Sequence, residues 1–365
     1  MPNPASKKRT IPQKIDADIA AIDALLATVG LEHGTRPFGG KIIRQPKILE
    51  TSREELKLPL LKLSRRRAGS KGNVPAIVEV EAWKRLSWLA HGFSTRIGGA
   101  STVYGKEEMN LGFTDSDERL NVLANRASLV EAVCGRAKGS TPPALITAKQ
   151  IHSNLIRRVT RTDAPAEPLS EATHRCDGLM TDEPGLLLAI QTADCVPILI
   201  VDPKKKAVAA FHAGWRGTLK RIVEIGVGRM RYEFGSKPED LVAAIGPAIG
   251  QCCYSVGEEV VREFESQFVY GRELFREVYD SDPIRLKYPL LFLSQRAPGH
   301  SDLGPWLHLN LAEANRRQLL DAGVKAKQIT MATECTCCHQ ERYFSHRGSH
   351  GFAGRMMSVI GITGK

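Results

Sequence analysis

Long apolar runs are absent from this sequence. The longest uncharged stretch, Leu241–Gly257, has 17 residues and is broken by Gly246, Pro247 and Gly250. It is too short and too interrupted to cross a bilayer as a helix. A secretory signal is not evident either. Lys7-Lys8-Arg9 opens the chain, but Asp16, Asp18 and Asp23 break the apolar segment such a signal needs. Internal repeats are lacking. No H-x-H pair occurs among the ten histidines, which disfavours the paired-histidine sites of multicopper oxidases. With no sign of secretion, the eight cysteines read as free thiols or metal ligands in a cytoplasmic protein rather than as a disulfide framework. Acidic charge is scarce only locally. Of the net +11, +8 falls in residues 1–75, where 15 Lys/Arg face 7 Asp/Glu, so +3 is left for the other 290 residues. A nucleic-acid surface is therefore not expected on the main body, and the basic leader reads as a solvated extension.

What is present is the mix of a globular protein, 42% hydrophobic and 25% charged, which supplies a real core. Ile15, Ile19, Ile22, Leu26 and Val29 share one helical stripe and predict a short amphipathic helix. Arg65–Pro75 has linker composition, so residues 1–75 read as an extension and linker and 76–365 as one domain. Arg161–Arg175 reads as a polar loop, and Ser281–Pro305, with four prolines, as an insertion. Strands are predicted at Ala76–Val80, Ala144–Thr147, Leu186–Gln191, Cys195–Val201, Ala207–Phe211, Leu241–Ile245 and Ser358–Ile362. Helices are predicted at Leu120–Cys134, Leu219–Phe234, Val256–Phe268 and Leu311–Ala322, the last stopped by Gly323.

The stretch "TADCVPILIVDPKKKAVAAFHAGWRGT" carries the first chemical signal. Two buried strands joined by a turn at Asp202-Pro203 lie side by side, so the start of one meets the end of the other. Cys195 and His212 then stand together at one sheet edge. Thiolate and imidazole are zinc-type ligands, but two do not complete a site. His152 in "TAKQIHS", just after the strand Ala144–Thr147, is a candidate third.

At this point the chain resembles the laccase-domain proteins, also called the YfiH or polyphenol-oxidase family, regarded as zinc-dependent purine nucleoside phosphorylases with adenosine deaminase activity. The resemblance runs from "HGFSTRIGGAS" (His91–Ser101) to "GRMMSVIGI" (Gly354–Ile362). Between them, in the family's order, stand "NLGFTDSDERLNVLANR", "KQIHS", "CDGLMTDEPG", "TADCVPILIVD", "HAGWRGT", "IGPAIGQCCYSVGEEV" and "CTCCHQERYFSHRGSHGFAGRM". It implies an α+β fold with mixed sheets in a four-layer α/β/β/α arrangement. It also implies that His152, Cys195 and His212 hold zinc, with copper as the lesser alternative. Three protein ligands leave one position for water, which marks a catalytic rather than a structural zinc.

The same resemblance gives roles to other residues. Arg96 in "STRIGG" would hold phosphate or the polar edge of a nucleoside, as a catalytic or substrate-binding group. Asp194 would carry a proton or orient a ligand. Arg216 and Gly214 would bind an anion beside the helix that follows, with Trp215 in the core. Phe344 would face a purine ring, with Ser345 or Arg347 on a polar edge. "CTCCH" lacks two spaced ligand pairs and reads as pocket wall or packing, and Cys252-Cys253 as buried. The implied partners are purine nucleosides (adenosine, inosine, methylthioadenosine) and inorganic phosphate. A membrane is not implied, and a homodimer stays open. Three other readings stay open as well: copper-dependent phenol oxidation, editing hydrolysis of peptidoglycan precursors, and a binding module for RNA or a partner.

Overall fold

Apolar residues run almost continuously along the central strands of both large sheets, which are buried along nearly their whole length. The computed structural model describes residues 61–65, 74–135, 141–172, 174–278 and 306–363. The stripe Ile15–Val29, most of the linker and Ser281–Pro305 lie outside the described residues. A seven-stranded sheet contains, in spatial order, β1 (Leu61–Arg65), β2 (Ala76–Val80), β3 (Leu89–Ser94), β17 (Met356–Ile362), β9 (Leu186–Thr192), β5 (Ala144–Lys149) and β7 (His174–Arg175). A six-stranded sheet contains β16 (Ile329–Met331), β12 (Val242–Ile245), β10 (Val196–Asp202), β11 (Ala207–Ala213), β8 (Gly178–Thr181) and β6 (Ile156–Arg158). The pairs β5–β9, β5–β7, β6–β8 and β12–β16 are parallel and the other pairs of these two sheets antiparallel, so both sheets are mixed. A small sheet joins β13 (Ser255–Val256), β15 (Trp306–Leu309) and β14 (Phe275–Val278), and β4 (Ile97–Ser101) bridges to Glu108. The strand β1 precedes Ala76 and pairs with β2, extending the sheet on that edge.

The helices are α1 (Arg119–Cys134), α2 (Trp215–Leu219), α3 (Ile222–Phe234), α4 (Glu258–Gln267) and α5 (Leu311–Asp321). The helix expected across Leu219–Phe234 begins at Ile222, after the short α2 has ended at Leu219. Arg221 sits in the left-handed region with φ 59, held by its Nη1 donating to Glu224 and its Nη2 donating to the Gln267 carbonyl.

Every residue of β10 is buried, because both faces of the strand are covered. Leu199 and Val201 join Val208 and Ala210 in a cluster shared with Phe93, Leu188 and Ile360 of the other sheet. Ile198 and Ile200 point the opposite way, into a cluster with Phe211, Val227 of α3, Phe264 of α4 and Leu319 of α5. A third cluster sets Leu187, Ala189 and Val359 against Leu129 and Val133 of α1.

The hairpin β10–β11 fixes the register on which the site depends. Val196 pairs with Ala213 and Pro197 with His212. Asp202 closes the turn by accepting the backbone N–H groups of Lys204 and Lys205 at 2.9 and 3.0 Å. Behind β11, a Cβ added to Gly226 of α3 would stand 2.3 Å from the Phe211 ring. Alanine is ordinarily better than glycine in a helix by about 1 kcal/mol. At this position the wholly buried ring has nowhere to go, and overpacking of this kind costs about 1–3 kcal/mol. Gly226→Ala should therefore lower stability in urea unfolding. A gain in stability would mean that the Phe211 ring is loosely held.

Candidate functional site

Three chain segments converge where β10 and β11 meet the turn after β5. His152 stands on that turn in the left-handed conformation, φ 55. Cys195 immediately precedes β10, and His212 is the penultimate residue of β11. Their ligand atoms all lie within 4.8 Å of one another. Cys195 Sγ is 3.9 Å from His152 Nε2. His212 is buried, Cys195 half-buried and His152 exposed, so the group opens to solvent on one side. Gly214 permits the approach: a Cβ there would lie 2.9 Å from His152 Cδ2 and 3.2 Å from Cys195 Sγ.

A carboxylate organises the group from behind. Asp177, wholly buried, accepts the backbone N–H groups of Ile151, His152 and Ser153 at 3.2, 3.0 and 2.7 Å. It also accepts the Ser153 hydroxyl at 2.7 Å and His212 Nδ1 at 2.8 Å. The last bond fixes the His212 tautomer, with the proton on Nδ1 and Nε2 turned to Cys195 and His152. Burial alone would raise the Asp177 carboxyl, but the bonds from His212 and Ser153 outweigh it and bring it to about 2.

The thiol and imidazole shift together. Burial would raise Cys195, yet the charge of His212 and the bonds from both histidines hold it at about 6. Burial would lower His212, yet Cys195 and Asp177 bring it to about 9. The two shifts favour a thiolate beside a protonated imidazole, and a metal cation held here would take the place of the proton on His212 Nε2. One thiolate and two imidazoles are a donor set for a borderline or soft metal.

A cavity of about 560 Å³ lies over the group. Phe113 and Tyr254 give it aromatic faces, and Lys149, Arg347 and Arg355 give it positive charge. Asp194 and Arg347, both singled out in the sequence, line it beside His152, Cys195 and His212. Asp194 is itself strained, with φ 92. Its Oδ1 accepts the Thr336 hydroxyl and its Oδ2 the Arg347 backbone N–H, each at 2.7 Å.

Four other candidates lie outside the cavity lining. The Arg96 guanidinium is fully engaged by protein, donating to Glu108 at 2.7 Å, the Gln340 carbonyl at 2.7 Å and the Tyr104 carbonyl at 2.8 Å. These bonds tie its segment to Tyr104, Glu108 and Gln340. Phe344 is buried beside Tyr343, Ala353 and Met356, with Tyr104 packed on it edge-on. Ser345 is buried and accepts the Gly348 N–H at 3.0 Å. Arg216 is exposed and lies over the half-buried Trp215 ring. Sequence reading passed over Asp177, although it stands in the "CDG" block, and passed over Phe113, Tyr254 and Arg355. The cysteines of the C-terminal block also differ from expectation: Cys335 and Cys338 gather with Cys252 and Cys253, and Cys252 is exposed.

A family model described as multi-copper polyphenol oxidoreductase laccase matches residues 90–363. The chain belongs to this laccase-domain family. Among laccase-domain relatives, the purine nucleoside phosphorylase YlmD of Geobacillus stearothermophilus is 34% identical over 296 residues, covering 79% of this chain and 98% of the relative. An adenosine deaminase from an unknown prokaryotic organism is 32% identical over 273 residues, covering 73% of this chain and 92% of its own. The crystal structure of the Bacillus licheniformis YfiH protein superposes with a TM-score of 0.66 at 31% identity, over 81% of this chain and 98% of that one. Among the described residues no helix is long and apolar enough to cross a membrane.

Asp177→Asn tests the organising carboxylate. An amide cannot replace an acceptor of five donors, and losing bonds to a charged group costs at least about 2 kcal/mol. Since the folded carboxyl lies below its ordinary value of 3.8, the wild-type advantage is full above that pH. It is lost as pH falls through about 2. Urea unfolding of both proteins between neutral and acid pH should show the two stabilities converging. A constant difference across that range would assign the stabilisation elsewhere.

Proposed function

We propose that this chain is a cytoplasmic, zinc-dependent purine nucleoside phosphorylase that also deaminates adenosine. The observation that carries the reading is the His152–Cys195–His212 set beneath a cavity with both aromatic and cationic walls. The names of its relatives, phosphorylases and one adenosine deaminase, supply the substrate class. A multicopper oxidase needs several histidine-rich sites. Among the described residues, the other group of potential ligands consists of cysteines alone, which favours nucleoside chemistry over multicopper phenol oxidation. Eight free cysteines suit a reducing compartment.

Zinc held by His152, Cys195 and His212 supplies Lewis acidity and acidifies a water toward a pKa of about 7. The protein's own residues do the rest. Asp177 keeps His212 Nε2 available and fixes the turn that carries His152. Phe113 and Tyr254 offer ring faces to the base. Tyr254, whose phenol is raised first by burial and then by the Cys195 charge, stays protonated and can donate to a purine nitrogen or to leaving ammonia. Lys149 and Arg355 draw phosphate toward the ribose anomeric carbon, where it displaces the base, while the Arg347 guanidinium donates to Ser255 at 2.7 and 3.0 Å. Asp194, with both oxygens engaged, positions the Arg347 segment and the turn into Cys195.

Elemental analysis beside a nucleoside panel, with and without inorganic phosphate, tests the whole reading. Cys195→Ala should lose zinc, and phosphorolysis and deamination should fall together. Were Cys195 only a buried apolar residue, alanine would cost about 1–2 kcal/mol of stability and leave metal and turnover unchanged.

Arg355→Ala should raise the phosphate KM on the order of 10- to 100-fold, the loss expected for one charge-assisted contact, with deamination changed less. Arg96→Ala should lower Tm and leave the phosphate KM near wild type. The opposite pattern would return the phosphate role to Arg96.

A further inference from the structure

Two turns beside the cavity carry a second gathering of thiols that the nucleoside reading does not use. Cys252 and Cys253 lie in the turn between β12 and β13, and Cys335 and Cys338 in the turn after β16. All four Sγ atoms lie within 4.8 Å of one another. Cys338 is 3.5 Å from Cys252 and 3.4 Å from Cys253. With Zn–S bonds of about 2.3 Å, the sulfurs of a tetrahedral tetrathiolate stand about 3.8 Å apart. One ion can therefore reach all four with only small shifts. Cys335-Thr336-Cys337-Cys338 has the C-x-x-C spacing of zinc knuckles, which the adjacent Cys337 hides in the sequence. The Gly250 N–H donates to Cys335 Sγ at 3.1 Å, as backbone amides do around a metal thiolate. Glycine also lets the two turns meet: a Cβ there would stand 3.0 Å from Cys335 Cβ and 3.1 Å from Cys252 Sγ.

We propose that Cys252, Cys253, Cys335 and Cys338 form a second metal site, which binds zinc or a similar thiophilic divalent ion as a structural clasp. Four protein ligands leave no open position, so this ion takes no part in turnover. What it holds together is the cavity wall. Ile249 and Tyr254, on either side of the first turn, line the cavity. In the second turn, Thr336 donates its hydroxyl to Asp194 and its N–H to the Ala248 carbonyl, and Ala248 bridges to Cys335. A disulfide from Cys338 would join one sulfur to one other and leave the remaining two without purpose. The convergence of all four favours a cation. No ligand is shared with the His152–Cys195–His212 group, so the two assignments stand or fall separately.

The experiment uses the full chain, purified under nitrogen with zinc present, as wild type, Cys195→Ala, Cys338→Ser and the double variant. Cys338→Ser should hold about one zinc ion fewer than wild type, and the double variant about one fewer than Cys195→Ala. Loading with Co2+ should give intense thiolate-to-metal charge transfer in Cys195→Ala that is lost in the double variant. Peptide mapping after alkylation of the wild type supplies a measurement that needs no variant: zinc should shield the four thiols. Equal zinc in wild type and Cys338→Ser would overturn the proposal. So would alkylation of these cysteines at the same rate with and without zinc, or a disulfide from Cys338 to Cys252 or Cys253 in the zinc-containing protein.

Discussion

A carboxylate taken out of water costs several kcal/mol unless donors surround it. Asp177 is wholly buried and answers that cost with three backbone amides, a hydroxyl and an imidazole. Because the amides belong to Ile151, His152 and Ser153, the bonds that solvate Asp177 also set the turn on which His152 stands. Because the imidazole is His212, the same oxygens orient the opposite side of the group. Two of the three proposed ligands are thus placed by one buried charge, and the third enters from the neighbouring strand.

That third placement depends on the sheets. β10 is sandwiched between two apolar clusters and can neither slide nor flip without moving Leu199 and Ile198 out of their layers. Its register with β11 puts Pro197 opposite His212, so the residue two positions earlier reaches the same edge. Gly214 then leaves the room that Cys195 and His152 occupy. The stiffness of the core is therefore what gives the sheet edge its precision, while the cavity above it is walled by turns.

Much of this was legible in the sequence, for identifiable reasons. The strand pair Cys195–Val201 and Ala207–Phe211 was readable because continuous apolar runs flank an Asp-Pro turn, and pairing follows from that. His152 was a candidate from its place just after the strand Ala144–Thr147, and the family resemblance singled it out. Arg96, Phe344 and Ser345 were drawn toward the site by their motifs, yet a motif does not say whether a guanidinium meets a ligand or the protein's own carbonyls. Arg96 meets two such carbonyls and the Glu108 carboxylate. Asp177 was missed because its partners are mostly backbone amides, which have no sequence signature. The four cysteines were missed because one ligand pair is adjacent and the other has a further cysteine inside it, so the usual spacing pattern is not seen.

Asp194 shows how the two thiol groups relate. Its left-handed backbone, a conformation that costs about 1–3 kcal/mol for a residue with a side chain, turns the chain directly into Cys195. The carboxylate that holds this turn is itself held by Thr336, inside the C-x-x-C turn, and by the Arg347 N–H. The backbone oxygen of Asp194 accepts the Ile249 N–H at 2.9 Å, at the entrance to the other cysteine turn. Strain at Asp194 is thus supported from the two turns that the four cysteines would join. A loose junction between those turns would relax Asp194 first and shift Cys195 next. A clasp there needs no contact with substrate to matter for the geometry of the proposed centre.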